Sequence, residues 1–336
     1  MKNTPLAGKK MLFFCPRMFG YEKEIQAEIE RMGADVTYHS DIPFQNLLVK
    51  GFIRFFTKFA LPFSDRFHSS WLRKQGPSIC DIIFIMKGEG LSSAFIKTLR
   101  HRYPKALIIM YLSDSISNVL CTESKLPYID EVFSFDPDDC VRFRNFNYRP
   151  LFFLNRYLEV DERRPNRKIF FVGTLNGDRS KVISRLLVSL KDDVVFDYWL
   201  FVRNNRELFF QKIVDQSIVS LDSSRLLFIP MSFEDITRHL NDCSAVLDIE
   251  HPKQAGLTMR TFEVIASGRK LITTNPKIRD HEFYDPRRIC IIDRNSPLVP
   301  LDFFSVEPPA LSSEFVSRYC LRGWLLDVLH SSCQMN

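Results

Sequence analysis

The chain has 336 residues, of which 45% are hydrophobic and 26% charged; that length fills two ordinary domains, and the balance excludes a disordered chain and a membrane-embedded one. Its longest apolar runs, such as 106–112, fall far short of the roughly 18 residues that cross a bilayer, and the run at 11–15 stops at Pro16, too early for a secretory leader. The eight cysteines show no Cys-x-x-Cys and no paired Cys/His spacing, so they read as reduced thiols of a cytoplasmic protein, with no metal site expected.

In chain order, Lys10–Cys15 reads as a strand, Tyr21–Met32 as a helix stopped by Gly33, and Asp35–His39 as the next strand. Asp81–Met86 is a second apolar strand, followed by Lys87-Gly88-Glu89-Gly90 and a helix over Ser92–His101. Ala106–Leu112 and Glu131–Phe135 repeat the strand pattern. Asp136, Asp138 and Asp139 around Pro137 read as helix capping rather than a metal cluster. The polar, poorly periodic stretch 151–164 reads as a linker. The alternation then restarts with strands at Ile169–Val172, Val194–Val202, Arg225–Ile229, Ala245–Glu250 and Lys270–Thr274, and helices at Arg179–Leu190, Phe233–Asn241 and Thr258–Ser267. A last helical face over Ser312–Leu329 is expected to pack back on the body. Two runs of strand–helix alternation specify an α/β protein of two Rossmann-like, doubly wound domains, 1–150 and 165–305, with a cleft between them and a C-terminal helix in 306–336.

The charge is uneven. Residues 1–150 hold 21 basic and 16 acidic side chains, and residues 46–105 alone hold 11 against 3. A basic half suggests an acidic partner. Within Asn46–Gly76, Lys50, Arg54 and Lys58 recur at helical spacing among Phe52, Phe55, Phe56 and Phe59. Such a segment reads equally as a peripheral membrane contact or as a core-facing helix with a wet basic face. No nucleic-acid module is visible, so nucleic acid is not the expected partner.

Ligands of open parallel sheets bind beyond the carboxyl ends of the strands, and four loops stand there. Gly256 and Thr258 sit where a helix begins, so free amides and the helix dipole would meet an anion, with Arg260 in the first turn. Taken alone, Thr258 is equally a plain cap and Arg260 with Glu263 an ordinary i,i+3 pair. Gly173, with Arg179 at the next helix start, forms a second such loop but lacks the G-x-G-x-x-G spacing. Arg17 and Gly20 follow the first strand. Glu89, flanked by glycines, and Asp114, after the next strand, are carboxylates at strand ends, each equally readable as a solvated loop acid.

Gly256, Arg260, Glu263 and Gly268 match the pattern G-x-x-x-R-x-x-E-x-x-x-x-G. The segment resembles the donor-site motif of GT-B glycosyltransferases, in the group related to spore-maturation-type transferases. Phe170–Gly173 with Arg179 resembles the opening of that group's C-terminal domain, and 87–90, 111–115 and 133–139 resemble lipopolysaccharide and capsule biosynthesis proteins. The resemblance implies a nucleotide-sugar donor bound by the second domain through Gly173, Arg179, Gly256, Thr258, Arg260 and Glu263, with the Arg17–Gly20 loop facing the donor phosphates. It implies a saccharide or lipid-linked acceptor on the first domain, Glu89 or Asp114 as general base, and no metal or cofactor. A second glutamate eight residues before Glu263 is missing, since Ala255 stands there, so no stereochemical outcome is implied. A catalytically silent nucleotide-sugar-binding or scaffold protein is the alternative.

Overall fold

The computed structural model describes residues 4–42, 57–75, 79–119, 121–161, 166–252 and 254–329. The first part of the basic aromatic stretch Asn46–Gly76, including Lys50, Arg54 and the side chain of Lys58, lies outside the described residues. The chain divides into two compact units, Met1–Pro150 with Leu321–Asn336, and Leu151–Cys320.

The first unit is built on β1 (Lys10–Phe14), β2 (Asp35–His39), β3 (Ile82–Met86), β4 (Leu107–Leu112), β5 (Glu131–Ser134) and β6 (Phe146–Tyr148). All pair in parallel, in the order β2-β1-β3-β4-β5-β6. The register sets Phe13 beside Tyr38 and Phe84. Every residue of β3 is buried, which is why its sequence is continuous Ile-Ile-Phe-Ile-Met rather than alternating. The crossovers are α1 (Tyr21–Arg31), α2 (Thr57–Lys74), α3 (Ser93–Arg102) and α4 (Pro137–Arg142). Gly33 ends α1 with φ 104°, and a Cβ there would meet the Ala7 Cα at 2.9 Å, so only glycine fits. Asp136 caps α4 by accepting the Asp138 amide, while Asp139 accepts from Ile116 N and Ser134 Oγ. Asp136 and Asp139 thus brace the local structure.

The second unit holds β7 (Lys168–Thr174), β8 (Val195–Phe201), β9 (Leu226–Leu227), β10 (Ala245–Asp248), β11 (Lys270–Thr273) and β12 (Ile289–Ile291). They too are parallel, in the order β12-β11-β10-β7-β8-β9. Helices α5 (Arg179–Ser189), α6 (Asn205–Val214), α7 (Phe233–Asp242), α8 (Met259–Ala266), α9 (Asp302–Ser305) and α10 (Ser313–Tyr319) complete it. Leu151–Leu154 and Tyr157, in the stretch read as a linker, are buried, and Phe153 bridges to Cys320.

The single C-terminal helix expected over Ser312–Leu329 is broken. Cys320 takes an extended conformation, ψ 155°, between α10 and α11 (Leu321–Val328), and α11 belongs to the first unit. There Trp324, fully buried, meets the Tyr111 ring edge-on at 4.6 Å, and Arg322 pairs with Glu28 at 3.1 Å. The apolar face read as one stripe is therefore divided: Phe315 and Tyr319 serve one core, Trp324 and Leu325 the other.

Two buried histidines tie α2 to the first sheet. His39 Nε2 and His68 Nδ1 lie 2.9 Å apart, and His68 Nε2 meets Ser64 Oγ at 2.9 Å. His39 stacks on Trp71 with ring centroids 4.0 Å apart. Burial, aided by His68, pushes His39 down to about 3, and burial pushes His68 down to about 4. Both rings stay neutral in the fold, whereas free histidine protonates near pH 6.5. The unfolded chain therefore binds more protons below that value, and stability falls as pH drops from about 6.5 towards 4. Thermal denaturation across this range should show that decline, and the double variant His39→Phe/His68→Leu should flatten it.

Candidate active site

In the second unit the strand order reverses between β7 and β10, and the crevice for a ligand lies beyond their carboxyl ends at such a switch point. Arg179 spans it: Nη1 donates to Thr174 O at 2.9 Å and Nε to Ile249 O at 3.0 Å. It thus ties the end of β7 to the end of β10. Burial lowers its proton affinity, against the pull of Asp248, Asp178 and Glu250. Gly173 precedes this loop, where an added Cβ would meet the Phe171 ring at 2.9 Å.

Helix α8 starts at the same crevice. Thr258 occupies the cap position, yet its side chain caps no amide. Its hydroxyl instead donates to Asp248 Oδ2 at 2.7 Å, beside Thr261 Oγ1 at 2.8 Å. The first turn therefore lacks a cap from the Thr258 side chain, and a helix N-terminus without its cap favours an anion. Gly256, buried, passes its carbonyl to Asn275 Nδ2 at 3.5 Å. Arg260 and Glu263 pair at 3.1 Å. This is no surface pair, because the Glu263 side chain is only 2% exposed. The Glu263 carboxylate, expected among the donor-binding groups, is held inside, one turn below the helix start.

Three residues that the sequence reading left out complete the crevice. Arg294, after β12, donates to both oxygens of Asp178 at 2.8 and 2.9 Å and forms an ion pair with Glu250. Glu250 also accepts from Thr274. Burial raises the Glu250 carboxyl, opposed by Thr274 and Arg294. Asp248 and Glu250 were legible only as the end of a strand, and nothing local marked Arg294, which lies 44 residues further on.

In the first unit the order reverses between β1 and β3. The loop after β1 carries Phe19 and Gly20 in the left-handed region, φ 54° and 95°. Glu22 reaches back and accepts from Met18 N at 2.9 Å and Gly20 N at 3.2 Å. The Gly20 amide, expected to face a phosphate, is thus spent on the protein's own carboxylate, and Arg17 is exposed. Beyond β3 and β4 the two rival carboxylates come together: Lys87 Nζ lies 3.3 Å from Glu89 and 3.3 Å from Asp114. Burial works against the Lys87 charge, but the two acids outweigh it and raise its pKa.

Asp41, after β2, is fully buried, and neither carboxylate oxygen has a hydrogen-bond partner among the described residues. Its backbone carbonyl covers Gly90, where a Cβ would come within 1.9 Å. Burial raises the Asp41 carboxyl to about 7, with Lys87 pulling the other way. Nearby Lys125, buried and donating to Gly88 O at 2.7 Å, is pushed down by burial to about 8. Among the described residues no group of three or more His, Cys, Asp or Glu is placed to hold a metal ion.

No family model matches the sequence, and no curated protein matches it. Solved structures do. A glycosyltransferase from Rickettsia africae aligns over 98% of this chain and 99% of its own at 12% identity, with TM-score 0.61. Anabaena HepE, in complex with UDP and glucose, aligns over 97% and 100% at 10% identity, with TM-score 0.64. The catalytic domain of starch synthase IV from Arabidopsis thaliana, bound to ADP and acarbose, aligns over 98% and 96% at 9% identity, with TM-score 0.51. This is the GT-B fold. Its two doubly wound sheets are those expected from the strand–helix alternation.

Two expectations follow from the geometry. Arg294→Ala leaves Asp178 and the buried Glu250 without their cation, and should cost about 3 kcal/mol in chemical denaturation; adding Glu250→Gln should restore part of the loss. Asp41 binds its proton more tightly in the fold than in the unfolded chain, so its burden on stability grows as pH rises from about 4 to 7. Asp41→Asn should therefore raise the melting temperature at pH 8 more than at pH 5.

Proposed function

We propose that the chain is a glycosyltransferase that moves a sugar from a nucleotide-sugar to a saccharide or lipid-linked acceptor in cell-surface polysaccharide assembly on the cytoplasmic side. The observation that carries the reading is the uncapped start of α8 at the β7/β10 switch point of a GT-B fold, with Arg260 in its first turn. The similar structures of HepE with UDP and glucose and of starch synthase IV with ADP and acarbose support a nucleotide donor of this kind.

In this scheme the second unit binds the donor. Its diphosphate, which gains negative charge as the glycosidic bond breaks, would sit against the α8 amides, with Arg260 and Arg179 close by. No metal is needed for that stabilisation. Asp248 fixes Thr258 and Thr261, so it positions the helix start, and Gly173 and Gly256 let the backbone approach. Glu263 would act through Arg260, as an anchor for its guanidinium. The first unit binds the acceptor, and Glu89 or Asp114 removes the hydroxyl proton. Lys87, between them, holds both carboxylates in one place and would release one of them when a proton is taken up. Arg17 would lend charge to the donor phosphates, and Asn46–Gly76 is the segment proposed to touch the membrane surface.

The pairing of both carboxylates with Lys87 favours one second reading, a nucleotide-sugar-binding protein without turnover. A thermal-shift screen with UDP, GDP, dTDP, ADP, CMP and their sugar conjugates separates the cases. Ligand at about 100 times its dissociation constant should stabilise the fold by about 2.7 kcal/mol, and Glu263→Gln should weaken that response. Transfer assays with Glu89→Gln and Asp114→Asn should then find one variant about 100-fold or more slower with donor binding intact. Binding with no transfer to a broad acceptor panel supports the silent reading, and absence of any nucleotide response overturns both.

A further inference from the structure

Helix α6 (Asn205–Val214) has no buried residue and turns several large apolar side chains outward. Asn204 caps its start by accepting the Glu207 amide at 2.9 Å. Leu208 packs on the second unit's core, and Gln211 Nε2 donates to Leu175 O at 3.0 Å. These contacts fix which side faces the protein. At about 100° per residue, Phe209, Ile213, Phe210 and Val214 then fill an arc of about 140° on the opposite side. All four are between 63% and 87% exposed, and Val219, just beyond, is 66% exposed. Single exposed apolar residues are ordinary, but a contiguous stripe of two phenylalanines and two branched aliphatics on one helix face marks a contact surface.

The charges around the stripe choose the occupant. The acids near it are already matched: Glu207 with Arg203 at 3.7 Å, and Asp215 with Ser180 and Ser217 and in the field of Lys181. Arg206, on the same face as the phenylalanines, and Lys212, at its flank, form no ion pair among the described residues. The surface is therefore apolar with a net cationic rim. An isologous contact with a second copy would set Arg206 and Lys212 against their own copies with no free carboxylate to answer them.

We propose that the α6 face docks on an anionic lipid bilayer, the phenylalanines and aliphatics entering the headgroup boundary and Arg206 and Lys212 meeting the lipid phosphates. This surface is separate from Asn46–Gly76 and does not depend on the proposed chemistry. A helix placed in this way would hold the second unit at the membrane whether or not the protein transfers a sugar.

Co-flotation of the full chain with phosphatidylcholine vesicles, with and without phosphatidylglycerol, tests the assignment. The wild type should float with the anionic vesicles and much less with the neutral ones. Phe209→Ser/Phe210→Ser, and independently Ile213→Ser/Val214→Ser, should reduce flotation about tenfold with no fall in melting temperature, because no packed side chain is removed. Arg206→Glu/Lys212→Glu should remove the preference for anionic lipid. Wild type that stays with the free protein, or serine variants that float as well as wild type, would overturn the proposal. So would sedimentation showing a dimer that the serine variants dissolve, since the face would then be an interface between copies.

Discussion

A parallel sheet covered by helices on both faces has nowhere to place charge except at its ends. That constraint governs both units. Strands such as Ile82–Met86 and Ala245–Asp248 are buried throughout, so no polar side chain can be set along them without a partner. At the carboxyl edge the backbone turns into loops and helix starts, and the ionisable groups of the candidate site gather there. The site chemistry of this chain follows from that edge more than from any one motif.

The two edges solve the same problem differently. In the second unit the charges are paired and braced. Arg179 clips two strand ends together through their carbonyls, Arg294 joins Asp178 to Glu250, and Asp248 takes two threonine hydroxyls. The result is a rigid frame around the uncapped start of α8, suited to holding a fixed anion. In the first unit the balance is looser. Lys87 is shared between two acids, while the buried Asp41 carboxylate has no hydrogen-bond partner among the described residues and Lys125 is displaced towards neutrality. Groups whose charge is so finely balanced change protonation with small changes in their surroundings, a property suited to proton transfer.

The helical coverage is also uneven. Where a helix meets a sheet it buries apolar residues, as α8 does with Phe262, Val264 and Ile265. On α6 the relation is reversed, and the apolar side is left to solvent. The same reversal explains why the sequence reading passed over α6: its hydrophobic residues match no stripe that a core would claim. The short strands β6 and β12 escaped for a different reason, since three residues carry too little periodicity to register.

The sequence by itself determined the two doubly wound sheets, because parallel strands buried on both faces must be written as continuous apolar runs separated by helices. It also pointed to the loops after those strands as the candidate site, and it marked Gly256, Thr258, Arg260 and Glu263 as one segment, because glycine and capping residues at a helix start are local signals. It did not determine what those side chains would touch. Whether the Arg260–Glu263 pair lay on the surface or inside, whether the Gly20 amide stayed open or met Glu22, and whether Arg294 came to lie on Glu250 were decided by packing. Each depends on pairs brought together across a turn or across tens of residues, where side-chain direction and burial are set by the folded whole and leave no trace in spacing.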